Sequence, residues 1–365
     1  MGKGKHVDKI LAGSLALLVV LGAAIFTSSA FGLLARGAGH ISSVVFSHLV
    51  LGLGLGLVAL GIAYVVDYRL WRAWAPHLFI ASLLFTCLVF IPQLGVTLNG
   101  SRSWLDILGF SFQPSETLKV AIVLLSAAVF ATMKDDIRTW RGPAAFAAIL
   151  ALPVIVVGLQ PDMGTLGIIV IGAFSVYIAA GACVRDVMLF ILMGLLALAA
   201  IAFMRPYVLD RITTFMHPEL NPLAEGYQIR QAFIAIGSGE VFGRGFGQGL
   251  QKFTYLPEPM GDSIFAVAAE ETGFVGSTVL IILFLVFVLR GFQVAARAPD
   301  MFGALVAIGL SSYLVAEAFI NIAAMLGLAP LTGIPLTFIS QGGSAMLISL
   351  GAAGILLNIS RRAAK

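Results

Sequence analysis

Asp262 is the residue whose type and setting point most directly to chemistry. It closes the stretch Tyr255-Leu256-Pro257-Glu258-Pro259-Met260-Gly261-Asp262 and stands at the first turn of an apolar run. A single carboxylate is thereby delivered to the edge of a hydrophobic helix. Within hydrogen-bond range of a weak nucleophile such as a hydroxyl, it can act as general base, worth roughly 10²–10⁴-fold. Cations from the same polar stretch (Arg230, Arg244, Lys252) add anion binding, which together reads as chemistry on an amphiphile.

The elements that must position this acid are transmembrane. The 365 residues are 59% hydrophobic and 11% charged, with a mean hydropathy of +1.01. A soluble domain carries roughly a quarter charged residues, so this chain reads as an all-α polytopic membrane protein. A nucleic-acid partner is excluded, because basic residues form no patch outside short loops. Cys87 and Cys183 lie in apolar runs and read as packing residues. About ten segments are long and apolar enough to cross: 10–33, 44–66, 76–96, 116–132, 143–159, 164–183, 185–206, 263–289, 301–325 and 343–360. The fifth is short and interrupted by Pro153. The first is too long for the core of a cleavable signal.

An even count puts both termini on one side. Lys3, Lys5, Lys9, Arg69, Arg72, Lys134, Arg138, Arg141, Arg185, Arg290, Arg297, Arg361, Arg362 and Lys365 then share the inner face, 14 of the 22 basic residues. Arg36, Arg102 and Lys119 remain in short outer segments, and a long extracytoplasmic loop, about 207–262 between helices 7 and 8, holds the rest with its edge, where Arg205 lies. Both termini are therefore cytoplasmic, and the inner loops suit anionic membrane lipids. Polar, non-basic sequence accumulates outside, so the site belongs there. Residues 1–365 read as one integral membrane domain.

On the outer face, Trp104, Leu105, Leu108, Phe110 and Phe112 alternate irregularly with polar residues, the pattern of an interfacial segment. Glu116 and Lys119 share a helix face; they form an ion pair, or Lys119 faces a cavity and binds an anion. Asp162 sits in a Pro-Asp-Met-Gly turn, where a structural role suffices. Gly237, Gly239, Gly243, Gly245, Gly247 and Gly249 make either a bare loop or a backbone cradle for phosphate. Glu270, Glu271 and Glu317 are acids deep in apolar helices, best read as a structural network. Pro330–Ser344 cannot stay helical and reads as a re-entrant cap.

Six motifs, in order, carry a resemblance over essentially the whole chain. They are Phe112-Gln113-Pro114-Ser115-Glu116 with Lys119; Gln160-Pro161-Asp162-Met163-Gly164-Thr165; Gly226-Tyr227-Gln228; Leu256-Pro257-Glu258 with Asp262; Ala269-Glu270-Glu271 with Gly273; and Gly333-Ile334-Pro335-Leu336 with Ser340 and Gly342-Gly343-Ser344. The sequence resembles the SEDS family (shape, elongation, division and sporulation), which includes FtsW and RodA. The resemblance implies a peptidoglycan glycosyltransferase of the bacterial cytoplasmic membrane that polymerises lipid II at the outer face. It also implies a class B penicillin-binding protein transpeptidase, and other division or elongation proteins, as partners. Asp262 matches the catalytic aspartate.

Inverting transfer with undecaprenyl diphosphate as leaving group needs one base and a set of cations or N–H groups. The substrate- or diphosphate-binding candidates are Arg102, Lys119, Arg211, Arg230, Arg244, Lys252, Ser340 and Ser344, with Glu116, Asp162, Glu258, Glu270 and Glu271 as supporting acids. The sequence assigns no cofactor; a divalent cation, Mg or Mn, could share the work of charge neutralisation. Where the family has His-Thr before the aspartate, Phe after it, and Tyr in its Ser-Tyr-Gly-Gly-Ser, this chain has Met260-Gly261, Ser263 and Gln341. The glycine-rich loop and Gln251-Lys252 look more like the division branch, and Gly333-Ile334-Pro335-Leu336 more like the elongation branch; the balance leans to division. A lipid II flippase, or a non-catalytic scaffold of the cell-wall complex, would need the same cavity or surface without the base.

Overall fold

The computed structural model describes residues 7–35, 41–98, 101–107, 110–218 and 225–363. The expectations for Lys3, Lys5, Arg36, Leu108 and Lys365 lie outside those residues. Among the described residues, ten largely apolar helical segments follow one another along the chain. They are α1 (Lys9–Ala35), α2 (Ile41–Phe46) running through a π-helical turn into α3 (Leu55–Val65), α4 (Tyr68–Cys87), α5 (Ser115–Phe130), α6 (Arg141–Gly158), α7 (Met163–Ala179), α8 (Val184–Met204), α12 (Ile264–Ala296), α13 (Met301–Met325) and α14 (Gly343–Arg362). Eight are long and apolar enough to cross a bilayer alone; α7 has 17 residues and α5 has 16. Pro153 sits inside α6 without ending it.

The bundle is centred on α13 and α14, whose residues are mostly buried, whereas α8 is almost wholly outward-facing. Between apolar helices in lipid, close packing rather than water exclusion drives association. Gly354 shows how close: a Cβ there would lie 2.5 Å from the Leu60 carbonyl oxygen. At the inner end, Arg290 pairs with Asp8 at 2.6 Å and Arg362 with Asp67 at 2.5 Å. Helices from the start, middle and end of the chain are thus tied at one face. Asp262 lies at the other end of α12.

Three outer features differ from the sequence reading. The irregularly alternating segment is folded, in its described residues, as a three-stranded antiparallel sheet: β1 (Gly95–Leu98), β2 (Ser101–Ile107) and β3 (Phe110–Phe112), with Val96 opposite Trp104 and Leu105 opposite Phe112. The inward positions of β2 include Ser103 as well as Leu105, so hydropathy alone shows no period of two. The 207–262 segment is not an open loop. It holds α9 (Pro206–Met216), α10 (Glu225–Ser238) and the short α11 (Gln251–Thr254). α10 is the expected amphipathic segment, burying Ile229, Ala232 and Ala235 at helical spacing.

The third difference is in α12, which is broken at Gly273 (φ 68°, ψ −167°). The glycine-rich segment repairs the broken ladder. The N–H groups of Arg244 and Gly245 donate to the carbonyls of Glu270 and Glu271, and those of Phe274 and Val275 donate to Glu240 and Val241. These N–H groups answer main-chain carbonyls, which stands against the phosphate cradle among the two sequence readings.

Candidate active site

Two prolines and a left-handed Glu258 (φ 44°) fold the stretch before α12 into a tight turn. The N–H groups of Gly261 and Ser263 both donate to the Glu258 carbonyl, at 3.0 and 3.2 Å. Leu256 and Met260 are buried on either side and anchor it. The re-entrant segment 330–342 closes over the turn. Ser340 Oγ donates to the Gly261 carbonyl at 2.7 Å, and the Gln341 N–H donates to the Met260 carbonyl at 2.6 Å. From α13, the Asn321 amide donates to the carbonyls of Asp262 and Ile334, both at 2.8 Å. The turn is therefore held largely through its main chain. Met260, Gly261 and Gln341, three of the four positions that depart from the family pattern, contribute backbone groups there, while the fourth, Ser263, accepts the Gln228 amide through its hydroxyl.

The Asp262 side chain is half-buried. Gln228 Nε2, from α10, donates to Asp262 Oδ1 at 3.0 Å and to Ser263 Oγ at 2.9 Å. Burial, with the Glu258 carboxylate beside it, pushes the Asp262 carboxyl up to about 6, while the Gln228 hydrogen bond and the Arg211 charge pull the other way. A carboxylate poised there is still mostly ionised at neutral pH and is a stronger base than a free aspartate.

The candidate residues fall into four groups. Asp262, Glu258, Arg211 and Ser340 meet at this turn. Deeper, Lys119 pairs with Glu116 at 2.7 Å and also with Glu317, all three buried, and the Thr337 hydroxyl reaches Glu317 at 3.3 Å. The ion-pair reading of Lys119 is the one this geometry supports. Asp162 caps α7 through the Thr165 N–H and accepts from Gln113 Nε2 at 3.0 Å; the Gln113 N–H in turn donates to Ser344 Oγ. Along α12, Lys252 is fully buried against Glu271 and Ser28, and Glu270 accepts the N–H groups of Leu250 and Gln251. Glu270 and Glu271 thus sit in the structural network expected of them, and Lys252 joins it there rather than at the Asp262 turn.

Arg102 donates to the Ile91 carbonyl, Arg230 is exposed on α10, and Arg244 is part-exposed beside Glu270. Gln228 and Asn321 were not among the sequence candidates. A lone Asn four residues after Glu317 in an apolar helix was the available signal, since a polar group in a span must face a partner. Among the described residues no group of three or more His, Cys, Asp or Glu is arranged to hold a metal ion.

Between α3, α4, α5 and α14 lies an apolar groove of about 530 Å³, lined among others by Ile62, Trp71, Phe85, Leu124, Leu347 and Ile355. Its upper end begins one turn below Ser344.

Comparison with known proteins gives a consistent picture. The family model described as "Cell cycle protein", covering FtsW, RodA and SpoVE, matches residues 8–365. "Stage V sporulation protein E" of Bacillus subtilis (strain 168) is 40% identical over 310 residues, covering 84% of each chain. "Probable peptidoglycan glycosyltransferase FtsW" of Geobacter sp. (strain M18) is 38% identical over 309 residues, again 84% of each. Among solved structures, a chain of a peptidoglycan synthase complex that coordinates polymerization and crosslinking superposes with a TM-score of 0.78 at 26% identity, covering 97% of this chain and 98% of that one. A mutant of the rod shape determining protein RodA of Thermus thermophilus gives 0.72 at 26% identity, covering 98% and 99%.

Proposed function

The chain belongs to the FtsW, RodA and SpoVE family of cell cycle proteins, the SEDS family, and from that premise we propose a mechanism centred on Asp262. It is a multi-pass protein of the bacterial cytoplasmic membrane and a peptidoglycan glycosyltransferase. The substrate in this reading is lipid II. A sugar hydroxyl of the acceptor gives its proton to Asp262 as it attacks the anomeric carbon of the donor, and the undecaprenyl diphosphate departs with the bonding electron pair. A diphosphate leaves without protonation, so one carboxylate suffices, unlike the two placed acids of glycoside hydrolysis.

The observation that carries this reading is the half-buried Asp262, fixed at the outer turn with its carboxyl raised to about 6. Arg211, close enough to act on Asp262 through its charge, is the cation best placed to meet the leaving diphosphate, with exposed Arg230 on the neighbouring helix. The groove beside α14 suits a section of the polyprenyl chain, being lined almost wholly by apolar residues and starting just beneath the outer polar cluster. A class B penicillin-binding protein is the partner this reading implies, supported by the likeness to a synthase-complex chain. The division branch is supported by relatives named FtsW.

Purified protein mixed with lipid II in detergent tests the reading. Glycan strands are the expected product, lost in Asp262→Asn while lipid II binding persists. Transport of lipid II without polymer would instead mark a flippase, and normal glycan from Asp262→Asn would remove the base.

A further inference from the structure

The Asp262 carboxylate has two oxygens with different surroundings. Oδ1 accepts the Gln228 amide, and among the described residues no other side chain donates to Oδ2. The Gln228 amide is itself fixed in orientation, because Nε2 spends its two hydrogens on Asp262 Oδ1 and Ser263 Oγ. Ser263 is fully buried, and α10 packs against α12 with its Ile229 and Ala232 buried, so the donor cannot easily swing away. The carboxylate plane is thereby set from one side, while Asn321 holds the same residue's carbonyl from another.

We propose that Gln228 is the positioning residue of the base: it occupies Oδ1 and leaves Oδ2 as the atom that takes the proton from the acceptor hydroxyl. This rests on the reading of Asp262 as base. In the step, the hydroxyl oxygen forms the new bond to the donor's anomeric carbon, its proton passes to Oδ2, and the carbon–oxygen bond to the diphosphate breaks with its electron pair leaving on the diphosphate. Gln228 gains and loses no proton. Its amide favours the ionised carboxylate, because a hydrogen bond to the charged form stabilises that form.

The charged groups that face Asp262 are Glu258 from its own turn and Arg211 from α9. Gln228 from α10 and Asn321 from α13 contribute neutral amides, and Ser340 from the re-entrant segment a hydroxyl bound to the adjacent carbonyl. Removing the Gln228 donor leaves Glu258 less opposed, so the carboxylate should hold its proton to higher pH.

The test is the pH dependence of polymerisation by full-length protein in detergent with lipid II, for Gln228→Met and Gln228→Glu. Gln228→Met should move the midpoint of the rising limb up by about one unit, the size of one lost hydrogen bond to a charged group, with the plateau rate recovered at higher pH. Gln228→Glu, which adds a like charge, should move it further. A plateau lowered at every pH with the midpoint unmoved in either folded variant would overturn the proposal and leave Gln228 a packing residue. Fluorescent lipid II binding reports folding for each variant, and Gln228→Glu, which keeps the side-chain shape, decides alone if Gln228→Met does not fold. An active Asp262→Asn would sink the underlying reading instead, whereas an inactive Asp262→Asn beside unshifted Gln228 variants would sink only this inference. A structure with an acceptor disaccharide bound should place the hydroxyl on Oδ2; the hydroxyl on Oδ1, with Gln228 displaced, would also overturn it.

Discussion

Asn321 and Glu317 stand one turn apart on the same face of α13, and each ends on a different polar system: Asn321 on the Asp262 carbonyl and Glu317 on Lys119. The Asp262 turn and the buried triad are therefore bridged by one helix, their contacts on it about 6 Å apart in rise. Disturbance of either should be felt in a predictable way.

Asn321→Ala removes the donor shared by the carbonyls of Asp262 and Ile334. Each buried acceptor left unsatisfied costs about 1–3 kcal/mol. We expect a lower thermal midpoint in detergent and a kcat reduced roughly tenfold, the equivalent of about 1.4 kcal/mol in the barrier. Polymerisation assays alongside thermal unfolding measure both.

Polymerisation should rise with pH and level off above about 6. The base works only when ionised, and its carboxyl is raised to about 6, so the rate should fall about tenfold per unit below that point. The sign for stability is opposite. A folded-state value above the ordinary 3.8 means the folded chain holds the proton more tightly, so ionising Asp262 costs stability as pH rises from about 4 through 6. Asp262→Asn should accordingly melt higher than the parent at pH 7.5 and no higher near pH 4.

Lys119→Met leaves Glu116 and Glu317 buried together without their cation. Breaking a buried pair by removing one partner costs about 3–5 kcal/mol. The single variant should lose folded yield in detergent, measured by size-exclusion chromatography. Lys119→Met combined with Glu116→Gln and Glu317→Gln should recover much of it.

Gly273→Ala puts a Cβ within 2.3 Å of the Gly243 nitrogen and 2.6 Å of the Val241 oxygen, at a φ of 68°. The left-handed backbone alone costs on the order of 1–3 kcal/mol for a non-glycine residue. Reduced thermal stability should come with reduced polymerisation, because the segment displaced is the one that holds the half-helix behind Asp262.

Much of this architecture was legible in the sequence because spans announce themselves by length and hydropathy, and Lys and Arg asymmetry gives their direction. Asp262 was legible because a carboxylate at the head of an apolar helix is conspicuous. Gln228 stood in the Gly226-Tyr227-Gln228 motif, but its role was not legible, since its partner lies 34 residues away. Lys252 looked like a loop cation because nothing local reveals Ser28, 224 residues distant. The sheet at 95–112 escaped because polar Ser103 occupies an inward position. The break at Gly273 escaped because the hydropathy of α12 continues through it, and the glycines that repair it looked like an anion loop.

That break has an electrostatic consequence. A helix carries its end charge in its first and last turns, about half an elementary charge each, whatever its length. The nine residues Ile264–Thr272 thus present to the Asp262 turn the same positive terminus that an unbroken α12 would, and the negative terminus created at Gly273 is met at once by the N–H groups of Arg244 and Gly245. The chain breaks its longest helix at Gly273 while keeping a positive helix terminus at the Asp262 turn.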